Sequence, residues 1–195
     1  FFKFKHLKFI DLSADFRISD PKIYKKNYKI EHKAKELIKN SLYSIPEINK
    51  NLIKFRIISN PGCYSTSIQI PLMPLIKKNL IKNNDITIDS KSGYSGAGKN
   101  LKKKFTHTNL YSSIFAYSTK NHRHICEIDQ QFLKVTKKKL NYSFNPHLLP
   151  TFRGILTAIY VQIKKDRSID ILRKTLIKFY EKSKFIKILK LNSPL

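Results

Sequence analysis

Tryptophan is absent from this 195-residue sequence, methionine occurs once, glycine five times and cysteine twice. Two thiols, Cys63 and Cys126, are too few for a disulfide framework, and free thiols fit a cytoplasmic protein. There is no CxxC pair and no zinc-finger spacing among the histidines, so no structural metal is expected. No apolar run approaches the roughly 20 residues that span a bilayer. The opening FFKFKHLKFIDL carries lysines inside its apolar part and does not read as a secretory signal. It also starts with Phe rather than Met, which predicts that an N-terminal piece precedes it.

Acidic residues are scarce too: 13, against 39 lysines and arginines, for a formal net charge of +26. Clustered cations gain affinity for nucleic acid by releasing phosphate counterions. Here the cations run along the whole chain, and only Arg17, Arg56, Arg123, Arg153, Arg167 and Arg173 are arginine. The accompanying wealth of Ile and Asn points to an A/T-rich coding bias. The charge therefore reads as solvated surface that binds polyanions non-specifically and steers anionic substrates inward. No specific nucleic-acid partner and no membrane partner is expected.

What is present is ordinary for a folded chain, since 41% apolar residues exclude wholesale disorder. Lys8 to Leu12 reads as a short strand, Pro21 as a break and Glu31 to Asn40 as an exposed helix. Ile53 to Ser59 has the character of a buried parallel strand ending in the turn Asn60-Pro61-Gly62. Tyr64 to Ile81 begins as a helix that Pro71 and Pro74 should kink or interrupt. Asp85 to Lys91 alternates like a strand. The second half of NHRHICEIDQQFLKV has helical spacing, and Leu140 to Phe144 and Gly154 to Ile163 read as strands. Ser168 to Lys182 reads as a helix with Ser168 as N-cap. The alternation of strands and helices predicts an α/β or α+β chain.

Four segments carry chemistry. Cys63 follows a strand and a Pro-Gly turn and precedes a helix start, where free N–H groups and the helix dipole favour a thiolate. Position alone leaves an inert core cysteine equally open. His122-Arg123-His124 with Glu127 supplies a proton acceptor and a cation, as a thiol nucleophile and an anionic substrate require, although an exposed basic loop would read the same. Ser92 to Lys99 (SGYSGAGK) is glycine-rich like a phosphate or cofactor loop, but it matches neither nucleotide fingerprint. Asn145 to Gly154 (NPHLLPTFRG) reads as a proline-stiffened loop whose His147 and Arg153 suit a substrate carboxylate.

In order and spacing, DLSADFR (11–17), NPGCYST (60–66), SGYSGAGK (92–99), HRHICEI (122–128) and NPHLLPTFRGIL (145–156) resemble the signature segments of the N-acetyl-γ-glutamyl-phosphate reductase family. SIPEIN (44–49) is similar to its Y-G-L-P-E segment, and FYEKSKFIKIL (179–189) to its short helix and following strand. The resemblance implies the end of a Rossmann-type NADP domain (residues 1–62) followed by a glyceraldehyde-3-phosphate-dehydrogenase-like catalytic and oligomer-forming α+β domain (63–195).

It further implies reduction of N-acetylglutamyl phosphate by NADPH, in arginine biosynthesis, through a cysteine thioester. In that reading Cys63 and His124 are catalytic. His122, Arg123, Glu127, Ser92, Arg17 and Tyr117 contact or orient substrate, and Gly93, Ser95, Gly96 and Gly98 lie beside the cofactor.

The sequence departs from the family pattern at Ser44 for glycine, Lys99 for arginine, Cys126 for proline and Pro71 in the helix after the nucleophile. The family's first glycine-rich βαβ unit and its glycine- and alanine-rich C-terminal segment are missing, which predicts poor NADP binding by this piece alone. The competing readings are an aspartate-semialdehyde dehydrogenase, an inactive remnant of the reductase, and a basic polyanion-binding domain.

Overall fold

A computed structural model of the chain describes residues 3–4, 6–49, 52, 54–96 and 113–190. Two sheets organise it. The first is parallel throughout, in the order β1-β3-β2, from β1 (Phe9–Asp11), β2 (Ser41–Tyr43) and β3 (Ile57–Ser59). The second is mixed, in the order β5-β6-β4-β7, from β4 (Ile86–Gly93), β5 (Phe115–Ala116), β6 (Tyr142–Leu149) and β7 (Ile155–Tyr160). In it β4 runs parallel to β6 and antiparallel to β7. The α/β segment followed by an α+β unit agrees with the sequence expectation.

Helix α1 (Pro21–Tyr28) starts where the sequence suggested only a break. Asp20 caps it by accepting the Lys22 N–H, and Pro21 occupies the first turn, where its missing N–H has no partner to lose. The expected helix over 31–40 is instead a 3₁₀ helix, Lys35–Asn40, with no buried residue. An exposed segment without an apolar stripe lacks the packing that stabilises a longer helix.

Helix α2 (Cys63–Lys77) is the central element, buried on nearly every side through Tyr64, Ile68, Leu72, Met73, Leu75 and Ile76. It passes through Pro71 and Pro74 without interruption. A proline inside a helix removes the N–H that the carbonyl four residues earlier would receive. At Pro74 that carbonyl is Ile70 O, and the Tyr180 hydroxyl donates to it at 2.6 Å. The hydroxyl comes from α4 (Ile169–Tyr180), which lays Leu172, Leu176 and Tyr180 on the core at helical spacing. Ser168 caps α4 as expected, accepting the Ile171 N–H.

Helix α3 (Ile125–Thr136) buries Ile128 and Phe132 against α2 and the second sheet. Its Cys126 packs with Ile18 and Tyr24, so the N-terminal segment is anchored on the same helix. Strand β6 runs further than expected, through Pro146 to Leu149. Pro146 takes part in the sheet as an acceptor only: its oxygen accepts the Tyr117 N–H at 3.0 Å.

Candidate active site

Cys63 is the first residue of α2, and Gly62, in extended conformation, is its N-cap without a side-chain cap. The amides at this end are therefore free to face the sulfur or a bound anion. The turn before it is held from both sides. Arg17 Nε donates to Asn60 O at 2.8 Å, and Gly62 N donates to Glu127 Oε2 at 2.9 Å. The two holding groups are themselves paired, Arg17 Nη1 to Glu127 Oε1 at 3.2 Å. Arg17 Nη2 reaches Leu12 O.

Glu127 also receives the Tyr43 hydroxyl at 3.2 Å. Behind Tyr43, Gln69 Nε2 donates to Tyr43 Oη at 2.6 Å and to Ser65 Oγ at 2.7 Å. This buried chain ends at the Glu127 carboxylate, which is wholly enclosed. Burial raises the Glu127 pKa; Arg17, the Gly62 N–H and Tyr43 oppose the rise.

Both histidines are buried. His122 Nδ1 accepts the backbone N–H of His124 at 3.1 Å, so the neutral His122 ring carries its proton on Nε2. Its ring stands edge-on to Tyr64, Tyr117 and Phe144. His124 covers Gly62 with its ring, and its Nε2 lies 4.0 Å from Glu127 Oε1. Its Nδ1 is buried without a hydrogen-bond partner. Burial, reinforced by Arg123, lowers the His122 pKa to about 4. For His124, burial with His122, Arg123 and Arg17 takes it to about 2. Both rings are therefore neutral near pH 7, and His124 faces Glu127 without forming an ion pair.

Cys63 keeps an exposed surface, yet protein packed on its other sides takes water from the sulfur and raises the thiol pKa. The N–H groups of Tyr64 and Cys63, then Arg123 and Arg17, act against that rise. Arg123 is exposed beside the buried histidines. Cys126, by contrast, is buried, donates to Arg123 O, and is pushed by burial up to about 12.

The structure thus brings Cys63, His122, Arg123, His124, Glu127, Arg17 and, through Tyr64, Tyr117 to one place. Several residues expected to contact or orient substrate are engaged by the protein itself. Glu127 and Arg17, expected to contact or orient substrate, have their polar atoms engaged by protein groups, and both side chains are buried. Ser92 is also buried, with its hydroxyl donating to Gly93 O. Tyr117 is half-buried and donates to the Tyr64 hydroxyl at 3.3 Å.

In the described part of the glycine-rich segment the backbone amides at 93–95 are already engaged. The N–H groups of Gly93, Tyr94 and Ser95 donate to Gly154 O, Thr151 O and Phe152 O. A side chain on Gly93 would meet the backbone of Phe152 and Arg153, so this glycine serves packing. Gly96 lies against Ser92 Oγ. Gly98 lies outside the described residues. His147, expected in a loop, sits on β6 with its Nδ1 3.1 Å from Asp89 Oδ1, and its backbone oxygen accepts the Tyr64 hydroxyl at 3.0 Å. The residues that sequence reasoning missed are Gly62, Tyr64 and Tyr43. Tyr43 stands just before SIPEIN, where the resembled segment begins with tyrosine, so a signal for it existed.

With this geometry in place, the chain can be assigned to a class: it belongs to the semialdehyde dehydrogenase family, whose dimerisation domain matches residues 63–195. Within that class it is similar to N-acetyl-γ-glutamyl-phosphate reductases. The reductase of Clostridium novyi (strain NT) is 44% identical over 185 residues, covering 94% of this chain and 54% of that protein. The one from Afipia carboxidovorans is 42% identical over 183 residues, with 93% and 52% covered. A probable chloroplastic reductase of Arabidopsis thaliana is 42% identical over 184 residues, with 94% and 46% covered. The chain spans about half the length of the curated relatives it matches. Among solved structures, aspartate semialdehyde dehydrogenase II of Vibrio cholerae superposes with a TM-score of 0.58 at 18% identity, over 87% of this chain and 52% of that one. The Francisella tularensis enzyme gives 0.58 at 12%, over 88% and 56%. At such identities these likenesses speak for the fold.

Proposed function

We propose that this chain is the catalytic part of an N-acetyl-γ-glutamyl-phosphate reductase, working in arginine biosynthesis in the cytoplasm, with residues 1–62 closing a nucleotide-binding domain and 63–195 forming the catalytic and oligomer-forming domain. The observation that carries the reading is Cys63 at the open N-terminus of α2, backed by two buried neutral imidazoles and flanked by the exposed Arg123. Sequence similarity to the reductases supports this choice of substrate.

In the proposed reaction the Cys63 thiolate attacks the carbonyl carbon of the acyl phosphate. The carbon–oxygen bond to phosphate breaks, inorganic phosphate leaves, and a thioester remains on Cys63. In this reading His124, whose ring lies over Gly62 beside Cys63, is the acceptor of the thiol proton. His122, with its proton on Nε2, donates toward the carbonyl oxygen as negative charge develops there. Arg123 attracts the phosphate. NADPH is the proposed hydride source that takes the thioester to the aldehyde. The described amides at 93–95 are already engaged, so they offer its phosphates no cradle. The partner proposed is a second copy of the chain, and β7 exposes Ile155, Leu156 and Tyr160 for such a contact.

The test needs no nucleotide. Incubation with N-acetylglutamyl phosphate should add one N-acetylglutamyl mass to the peptide bearing Cys63 and release phosphate, and Cys63→Ser should abolish both. Phosphate-dependent NADP reduction with N-acetylglutamate semialdehyde should follow in the longer protein. A folded protein that acquires no adduct on Cys63 would sink the reading. Acylation by aspartyl phosphate in its place would move the chain to the aspartate-semialdehyde branch.

A further inference from the structure

Asn60, Pro61 and Gly62 form the only covalent lead into the nucleophile, and two charged side chains hold its polar backbone. The cation of Arg17 takes the carbonyl of Asn60, and the anion of Glu127 takes the amide of Gly62. Each charge meets the end of the backbone dipole it attracts. The same charges face each other at 3.2 Å, so neither can shift without disturbing both the pair and the turn. Further bonds close the arrangement. Asn60 N donates to Asp11 O at 2.8 Å, Thr66 N to Gly62 O at 2.9 Å, and Tyr43 to the Glu127 oxygen that holds Gly62.

We infer that Arg17 and Glu127 act together as a positioning clip for Cys63, fixing the angle at which the α2 amides face its sulfur, rather than as substrate ligands. The inference rests on the reading of Cys63 as nucleophile, and it deepens that reading by drawing residues 11–17 into the site. Gly62 has no side chain with which to cap α2; Glu127, from another helix, takes the Gly62 amide itself, and the following amides stay open. The clip explains how a solitary pair of charges is retained in the interior. A buried ion pair contributes little net stability against an apolar replacement, so its value lies in the geometry it imposes.

Charge and geometry make opposite forecasts for one of two substitutions. Removing the Glu127 carboxylate in Glu127→Gln takes a negative charge from the neighbourhood of Cys63, which by electrostatics alone would ease thiol ionisation. Removing the guanidinium in Arg17→Met would by electrostatics alone hinder it. If the clip positions the turn, both variants misalign the amides and both act in the same direction. The experiment is iodoacetamide alkylation of Cys63 as a function of pH, read by mass spectrometry on the Cys63 peptide so that Cys126 does not contribute. Circular dichroism checks that each variant is folded.

The expected result is alkylation at neutral pH slower by about two- to fivefold in both variants, the scale of a helix N-terminal interaction, with both pH profiles moved upward. Faster alkylation in Glu127→Gln, or a rate equal to the parent's, would overturn the clip. Should either variant fail to fold, amide hydrogen exchange on the unaltered protein decides: the Gly62 N–H must be protected, and exchange at the rate of a free amide overturns the proposal. Alkylation does not involve the acyl phosphate. Normal clip behaviour with no acylation would sink the reductase reading and leave the clip standing.

Discussion

The imidazole of His124 lies over Gly62 so closely that a methyl group on that glycine would sit 2.3 Å from Nε2 and 2.6 Å from both Cδ2 and Cε1. The nearly equal distances mean that the face of the ring, centred on Nε2, covers the backbone next to Cys63. No ordinary side chain fits between them, so the glycine is required for approach and not for an unusual φ.

Gly62→Ala should therefore displace His124. The ring is buried and enclosed by Tyr64 and His122, so it cannot yield without cost, and overpacking of this kind destabilises by about 1–3 kcal/mol. Thermal unfolding should show the loss. Retained stability together with unaltered acylation of Cys63 would mean that the ring does not occupy this place.

A second expectation concerns acid. His122 and His124 have folded pKa values of about 4 and about 2, against 6.5 for a free ring. Below about pH 6.5 the unfolded chain takes up protons that these rings refuse when folded. Their contribution to stability is complete above that pH and is lost as pH falls, toward 4 for His122 and on toward 2 for His124, at about 1.4 kcal/mol per pH unit for each ring. Denaturant melts at pH 7, 6 and 5 should reveal the slope, and a folded His122→Phe variant should lose one ring's share. An identical slope in that variant would mean that His122 is solvated and titrates normally.

A third expectation separates packing from cofactor binding at Gly93. An alanine there would bring a Cβ within 2.8 Å of Phe152 O and 2.9 Å of Arg153 N. These are backbone atoms in a segment tied to 93–95 by three hydrogen bonds. Gly93→Ala should cost about 1–3 kcal/mol by strain alone, with no nucleotide present, measured by urea unfolding. Unchanged stability would return this glycine to a ligand-binding role.

Much of the site was legible because its signals are local. The strand, the Pro-Gly turn and the cysteine at a helix start are consecutive in sequence, and HRHICEI sits whole at the entry to α3. The roles of Glu127 and Arg17 were not legible. A carboxylate that binds substrate and one that holds a backbone amide 65 residues away have the same letter, and only burial separates them. The passage of α2 through Pro71 and Pro74 was hidden for a similar reason: Tyr180, which satisfies Ile70 O, lies 110 residues along the chain. Strand β6 was cut short because Pro146 looked like a loop residue, and a proline is accepted within a sheet according to neighbours that sequence does not display. Gly93 was read as part of a phosphate or cofactor loop; the close approach of the Phe152 backbone to it could not be read from sequence, since close backbone approach looks alike whatever the approaching group.

The contact between Arg17 and Glu127 also bears on the order in which the protein becomes itself. The two residues are 110 positions apart. Closing so long a loop must precede the contact, and non-local contacts form late in folding. On a ribosome, Cys63 emerges well before Glu127 has been made. Until α3 is synthesised and docks, the turn that presents the thiol lacks its anionic hold. Cys63 thus acquires its final setting as one of the last events of folding, and a chain halted before α3 would carry the cysteine without its poise.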